Sequence, residues 1–479
     1  MSKEVSETGN DPGRTPGMMS LQTDEEGLDN AAPIFPSERY KALSAKHLPE
    51  IPQLEKLPAD DRFAMQVVAS VLPFRSNRYV IDNLIDWDRV PDDPVYQMTF
   101  PQQDMLEAVD FSRMADLMRR DASAKEIKEG AHEIREKLNP HPAGQRELNI
   151  PQVGHETING LQHKYRETVL FFPSQGQTCH AYCTFCFRWA QFVGDNTLKI
   201  VAKEADGLHD YLAAHPDVTD LLVTGGDPMI MKTAVFAQYL EPFVEDPRLA
   251  HIQDIRIGTK SLTFWPARFV GDDDADDMLR LLEKIVKAGK HVAIMAHFNH
   301  WQELETKVVR EAIRRLRDAG AVIRCQAPLL AHINDSSDVW IRMWEEEVRL
   351  GMIPYYMFVE RDTGARNYFE VPLERCCDIF QNAYKFVSGL SRTVRGPSMS
   401  ATPGKVEVQD VQEIAGEKVF ILRFLQGRNP DWVGRPFFAA YDPEATWFDQ
   451  LRPAFGQEKF FFTDEFNAMV EGKWPTTKH

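Results

Sequence analysis

The chain has 479 residues, 43% hydrophobic and 10% aromatic, enough to bury the cores of two or three domains. A formal charge of −17 disfavours a phosphate backbone as partner, so no nucleic-acid role is expected. No run approaches the roughly 18 to 20 apolar residues that cross a bilayer, and the opening MSKEVSETGNDPGRTPG lacks the apolar core of a signal peptide, so a cytoplasmic protein without membrane contact is expected.

Residues 1–38 are rich in Gly, Ser, Asp, Glu and Pro, bury too little apolar surface to offset ordering entropy, and read as a disordered tail. From 39 to 155 apolar residues recur at helical spacing, as in AMQVVASVLPF and FSRMADLMRRDASAKEIKEGAHEIREKL, which predicts a helical N-terminal region. Between 156 and 395 six short β-rich runs, TVLFFP, TDLLVTGG, IQDIRIGTK, HVAIMAHF, AVIRCQAPLL and IPYYMFVE, alternate with helical stretches such as DDMLRLLEKIVKAG. Strands apolar almost throughout, separated by amphipathic helices, imply an α/β fold with a parallel sheet covered by helices. Six such units suit a partial (β/α)6 barrel with ligands at the carboxyl ends of the strands. The acidic run GDDDADD at 271–277 reads as a solvated helix start. The remaining 396–479 hold β-like KVEVQDV and EKVFILRF and an aromatic EKFFFTDEF, read as an oligomerisation segment.

Six cysteines are too few for a disulfide scaffold, and three of them, Cys179, Cys183 and Cys186, fall within eight residues directly after the first barrel run. Thiolates at this C-x3-C-x2-C spacing can hold three corners of an iron-sulfur cubane and leave the fourth iron open to a small chelating ligand. Zinc normally asks for a fourth Cys or His at similar spacing, and His180 inside the loop is poorly placed for it. Cys325, Cys376 and Cys377 read as buried thiols in a strand and a helix.

Over residues 160–410 the chain resembles the radical S-adenosylmethionine (SAM) superfamily, and within it the lysine 2,3-aminomutase family. The resemblance rests on the cysteine motif with Arg188, Gly225-Gly226-Asp227, RIG at 256–258, AHFNH at 296–300, the Gln326 run, Asn334-Asp335 and PYY at 354–356. It implies a [4Fe-4S] cluster, SAM and pyridoxal 5′-phosphate (PLP) as cofactors, an amino acid as substrate, an electron donor such as flavodoxin or ferredoxin, and a homo-oligomer. It places SAM against Gly225, Gly226, Asp227, His297, Asn299 and Asn334. It links PLP to Lys405, with Lys164, Tyr165, Arg166 and Gln326 around it, although the family's longer glycine run is here ATPG and Lys164 stands where the family has arginine. Arg188 matches the arginine that grips the α-carboxylate of the substrate. Two aspartates hold the distal ammonium in lysine-using members; here the first position falls on Arg361 and the second near Ser398. A cation in place of an anion repels an ε-ammonium. The expected reaction is therefore migration of the α-amino group to the β-carbon of glutamate or another non-lysine amino acid, unless a one-residue shift brings Asp362 into the pocket. Two other readings stay open from sequence: a radical SAM enzyme without PLP that acts on another substrate such as a protein lysine, and a noncatalytic iron-sulfur protein.

Overall fold

All six apolar runs are strands, each with one face packed on helices and one face turned inward. In Val322–Leu329 the buried residues Ile323, Cys325, Ala327 and Leu329 alternate with the half-buried Val322, Arg324, Gln326 and Pro328. The computed structural model describes residues 39–139, 149–153, 156–193 and 206–472; the expected tail at 1–38 lies outside them.

The main sheet has eleven strands. In chain order, and in the same order across the sheet, they are β1 (Leu161–Tyr165), β2 (Thr168–Phe171), β3 (Asp220–Val223), β4 (Asp254–Thr259), β5 (His291–His297), β6 (Val322–Leu329), β7 (Ile353–Val359), β8 (Arg395–Ser400), β9 (Gly404–Ile414), β10 (Glu417–Gly427) and β11 (Pro436–Ala440). Strands β2 to β8 pair in parallel, β1 lies antiparallel on one edge, and β9 to β11 extend the other edge antiparallel. The parallel part thus exceeds the expected six strands by β8, whose sequence RGPSMS contains a glycine and a proline and does not read as a strand.

The N-terminal region supplies α1 (Ala59–Val71), α2 (Pro94–Thr99), α3 (Ala108–Arg119) and α4 (Ala124–Leu138). The continuous helical pattern at 111–138 is two helices. Asp121 takes a positive φ of 56°, and Ser123 restarts the chain with a capping box in which the Glu126 carboxylate accepts the Ser123 amide at 3.0 Å. Successive parallel strands are joined through α5 (Asp206–Ala213), α6 (Thr233–Leu240), α7 (Ala275–Lys287), α8 (Lys307–Asp318), α9 (Ser337–Arg349) and α10 (Leu373–Lys385). The acidic run before α7 does more than face water. Asp272 accepts from Trp265 Nε1 at 3.0 Å, and Asp274 accepts from the Thr233 amide at 2.7 Å and from Arg268.

Strands β1 and β8 stand seven places apart, about 34 Å in a flat sheet. Yet Lys164 Nζ on β1 donates to the carbonyl of Ala401, just past β8, at 2.5 Å. The sheet is therefore rolled so that β1 approaches the carboxyl end of β8. One apolar core lies between the sheet and its helices; a second joins the N-terminal helices to Trp189, Phe264, Trp265 and Leu330. The aromatic end segment is used within the chain. Phe462 is buried against Phe424 with ring centres 4.9 Å apart, ahead of α11 (Thr463–Val470). Among the described residues no helix is long and apolar enough to cross a membrane.

Trp344 on α9 is fully buried between Trp340 and Phe380, with ring centres 5.6 and 5.9 Å away. Trp344→Ala is expected to lower unfolding free energy by about 3–5 kcal/mol, measured by denaturant titration.

Candidate active site

The cysteine loop leaves β2 at Phe171 and is clamped from two sides. From inside, Gly225 and Gly226 at the end of β3 press against it: a Cβ on Gly226 would stand 2.6 Å from the Thr178 backbone, and one on Gly225 would stand 2.6 Å from Gly176 O. The Asp227 amide donates to Thr178 O at 2.8 Å and to Gly176 O at 3.1 Å. From outside, the N-terminal region holds the loop backbone. Asn77 Nδ2 donates to His180 O at 3.1 Å and Phe264 O at 3.0 Å, and Tyr40 Oη donates to His180 O at 3.0 Å. The Tyr182 amide donates to Arg75 O at 2.9 Å, and the Thr184 amide to Met98 O at 2.9 Å.

This clamp presents Cys179, Cys183 and Cys186 as half-buried free thiols. Burial pushes all three up, Cys186 to about 11, and the neighbouring thiols and Asp227 push Cys179 further. Arg75, Lys260 and Arg188 oppose that rise only in part, so thiolates here would be stabilised further by the positive charge of a bound metal cluster. Among the described residues no three His, Cys, Asp or Glu side chains are gathered as ligands of a single ion. A cubane asks for something wider, because each thiolate binds a different iron. His180 is no candidate ligand: its Nδ1 pairs with Ser261 Oγ at 2.9 Å, and burial lowers its pKa to about 3.

Beside the loop lie the polar ends of β3 to β6. Asp227 is buried, and its carboxylate accepts from Thr259 Oγ1 (2.8 Å), the Met229 amide (2.9 Å), the Lys260 amide (2.9 Å) and Ser261 Oγ (3.1 Å). These four donors fill it, so in this structure Asp227 ties β3 to β4 behind the two glycines. Asn334 is likewise consumed by backbone, accepting from the Leu330 amide at 2.7 Å and donating to Asn299 O at 2.9 Å and Pro328 O at 3.0 Å. Asn299 differs. Its Oδ1 accepts from Lys260 Nζ at 2.9 Å, but its buried Nδ2 has no partner. Lys260 also contacts Glu303 Oε2 at 2.5 Å, and neither residue was singled out from sequence, although Lys260 follows RIG by two positions. His297 Nε2 and Gln326 Nε2 are 2.8 Å apart; burial and Lys260 lower the ring to about pKa 3, so the neutral ring accepts from the amide.

Lys405 opens β9 opposite Ser400. Its Nζ sits 4.0 Å from the Tyr356 ring centre and 5.5 Å from that of Phe358, with no carboxylate pairing it among the described residues. Burial first, then Arg256 and Arg395, lower its pKa to about 7. A neutral amine at this pH is a nucleophile, which an exposed lysine is not. Lys164 is close enough for Lys405, Arg361 and Arg428 to add to its own burial in pushing its pKa well down. Arg428, missed from sequence because it lies beyond the motif-bearing span, donates to Thr402 O at 3.0 Å in the turn before Lys405. Tyr165 is buried beside the same cations. Arg166 is not brought there. It is exposed at the β1–β2 turn and pairs with Asp217 at 2.9 Å, at the amino ends of the parallel strands.

Arg188 donates from Nη1 to Gly225 O at 2.9 Å and lies 4.2 Å over the Phe172 ring; burial lowers it to about 10. Arg361, just past β7, donates to Ser400 O at 3.0 Å, faces the rings of Trp447 (5.1 Å) and Phe187 (5.8 Å), and leaves its buried Nε without a hydrogen-bond partner. Asp362 Oδ1 stands 3.7 Å from that Nε, so cation and acid share the rim. Ser398 is fully buried and donates to Met357 O at 3.4 Å.

A protein of Aquifex aeolicus, provisionally described as an L-lysine 2,3-aminomutase, is 30% identical over 84% of this chain and 94% of its own length. The chain belongs to the lysine 2,3-aminomutase family. It is accordingly an enzyme, an isomerase of the radical SAM class, and the family's cofactors are a [4Fe-4S] cluster, SAM and PLP. The L-lysine 2,3-aminomutase of Bacillus subtilis is 26% identical over 56% of this chain and 54% of that protein. The glutamate 2,3-aminomutase of Clostridioides difficile is 28% identical over 44% of this chain and 47% of that protein. Among solved structures, Streptococcus suis SuiB bound to S-adenosylmethionine aligns over 57% of each chain with 14% identity and a TM-score of 0.34. No family model matches the chain.

Gly226→Ala is expected to displace the cysteine loop and cut iron content of anaerobically purified protein to under about half, because a Cβ 2.6 Å from backbone has nowhere to go. Lys405 loses its proton as pH rises through about 7, so reaction of the metal-loaded protein with added PLP should quicken over that range and level off above it. Stopped-flow absorbance checks this, and Lys405→Ala should show no such phase.

Proposed function

We propose that this chain is a PLP-dependent radical SAM aminomutase that moves the α-amino group of an acidic amino acid, glutamate first, to the β-carbon. The observation that carries the substrate choice is Arg361: a guanidinium with an unpartnered buried Nε, beside Lys164 and Arg428, at the place where lysine-using members hold an ammonium with aspartate. A carboxylate on the substrate side chain would complete that guanidinium, whereas an ammonium would meet the cations of Arg361 and Arg428 with Asp362 as the acid at the rim. The glutamate 2,3-aminomutase relative supports the reading.

The fit of the cofactors rests on this chain's own groups. The three thiols of Cys179, Cys183 and Cys186 would hold the cluster and leave one iron for SAM. Gly225 and Gly226 let the cysteine loop lie against the strand end there, with His297, Asn334 and Asp227 setting the shape of the wall, and the unpartnered Nδ2 of Asn299 offers SAM a donor. The amine of Lys405 would carry PLP, between Tyr165 and Gln326. When bound, the cluster and SAM supply one-electron cleavage of a carbon–sulfur bond, and PLP supplies a conjugated π system across which nitrogen can shift.

The residues then do the orienting. Arg188 would fix the α-carboxylate through its free edge, because its Nη1 is already braced by Gly225 O and its face by Phe172. Lys405, whose amine is largely neutral above pH 7, would hold the cofactor, and the Tyr356 ring 4.0 Å away covers that nitrogen. The rolled sheet, read as a partial barrel, shields the reacting atoms. A flavodoxin- or ferredoxin-like donor would supply the electron, and a cytoplasmic homo-oligomer is the proposed state.

Anaerobic, cluster-loaded enzyme with SAM, reductant and PLP should convert glutamate to its β-amino isomer at a rate at least about ten-fold above lysine, an energetic preference of about 1.4 kcal/mol. Product analysis by mass spectrometry checks it. A β-amino product from lysine alone would sink the substrate choice and assign Asp362 the recognition role.

A further inference from the structure

The inner face of the sheet carries two cations that the reading above leaves idle. Arg324 lies on β6, two residues before Gln326 on the same face, and Arg395 opens β8. The Arg395 guanidinium carbon is 4.5 Å from the ring centre of Tyr355 and 4.2 Å from that of Tyr356; the Arg324 carbon is 5.2 Å from the Tyr355 ring. The Tyr356 ring is also the one that Lys405 Nζ approaches to 4.0 Å, so the row Arg324, Tyr355, Arg395, Tyr356, Lys405 is continuous.

Among the described residues, these ring contacts are all that either guanidinium makes. Neighbouring charges are already matched. Arg256 grips Asp220 through both Nε and Nη2, and Glu407 accepts from Arg423 Nε at 2.6 Å and the Gly396 amide at 3.2 Å. Two half-buried guanidiniums on one wall, without hydrogen bond or counter-charge, are costly unless an anion arrives. Tyrosine rings occupy guanidinium faces and leave their N–H edges free, which suits an oxyanion.

We propose that Arg324 and Arg395 form an oxyanion seat on the inner face of the sheet, for a phosphate or carboxylate group carried by the molecule bound at Lys405. This deepens the aminomutase reading and rests on it. Two sources fit. One is the cofactor phosphate, because the cations expected for it are engaged elsewhere: Lys164 on Ala401 O and Arg166 on Asp217. The other is the side-chain carboxylate of the substrate, which these two arginines would then take in place of Arg361.

The test uses anaerobically purified, cluster-loaded protein and Arg324→Gln, Arg395→Gln and the double variant, each first shown to keep the wild-type thermal midpoint. PLP and pyridoxal, which lacks the phosphate, are titrated against each and followed by the absorbance of the lysine-linked cofactor. If the phosphate is the occupant, PLP affinity falls about ten-fold or more in the double variant while pyridoxal affinity is unchanged. If the substrate carboxylate is the occupant, PLP affinity holds and KM for glutamate rises about ten-fold, with kcat kept and the neutral 2-aminopentanoate unaffected. Changes within about two-fold in all of these overturn the seat and leave two solvated arginines. Should wild-type protein give no such absorbance with either aldehyde, the Lys405 reading fails by itself. Inorganic phosphate then decides the seat alone: a rise in the wild-type thermal midpoint that the double variant lacks supports it, and no rise overturns it.

Discussion

The contact on which the site depends is between two pieces of backbone. Gly226 at the end of β3 lies so close to Thr178 that no side chain fits between them, and the Asp227 amide bonds to the carbonyls of Gly176 and Thr178 at the same seam. A loop of free thiols has little reason of its own to hold one shape, since burial keeps the thiols protonated and unpaired. The seam gives it that shape before any metal arrives. Arg188, two residues past Cys186, reaches back to Gly225 O, so one strand end positions both the three proposed cluster ligands and the arginine proposed for the substrate carboxylate.

Much of this was legible in the sequence, for a physical reason. Parallel strands packed on both faces are almost continuously apolar, and all six runs of that kind became strands. Strand β8 was not legible because its register places Gly396 and Pro397 inside a sheet, where their local preference argues for a turn. The break between α3 and α4 was legible in principle. Ser123 and Glu126 spell a capping box, hidden by an amphipathic pattern that runs on across it.

For the site, residue types at strand ends carried the reading of the cysteines, the two glycines and Lys405. What they could not carry was how far each polar group is already satisfied. Asp227 and Asn334 look like ligand contacts in one dimension, but folding surrounds them with backbone and hydroxyl donors. Asn299, a similar amide, keeps one nitrogen unmet. Arg166 follows Lys164 by two positions, yet it sits exposed in the turn after Tyr165 and pairs with Asp217 outside the sheet's interior. The partners Arg428, Trp447 and Arg395 come from segments with no motif at all, and their roles arise only when the sheet rolls up.

That rolling also sets an order in time. The thiol loop is braced by Tyr40, Arg75, Asn77 and Met98, all of which leave the ribosome ahead of it. The amine at 405, the indole at 447 and the carbonyl that meets Lys164 emerge only near the end of synthesis. The residues that brace the thiol loop are therefore made before those that close the chamber around Lys405.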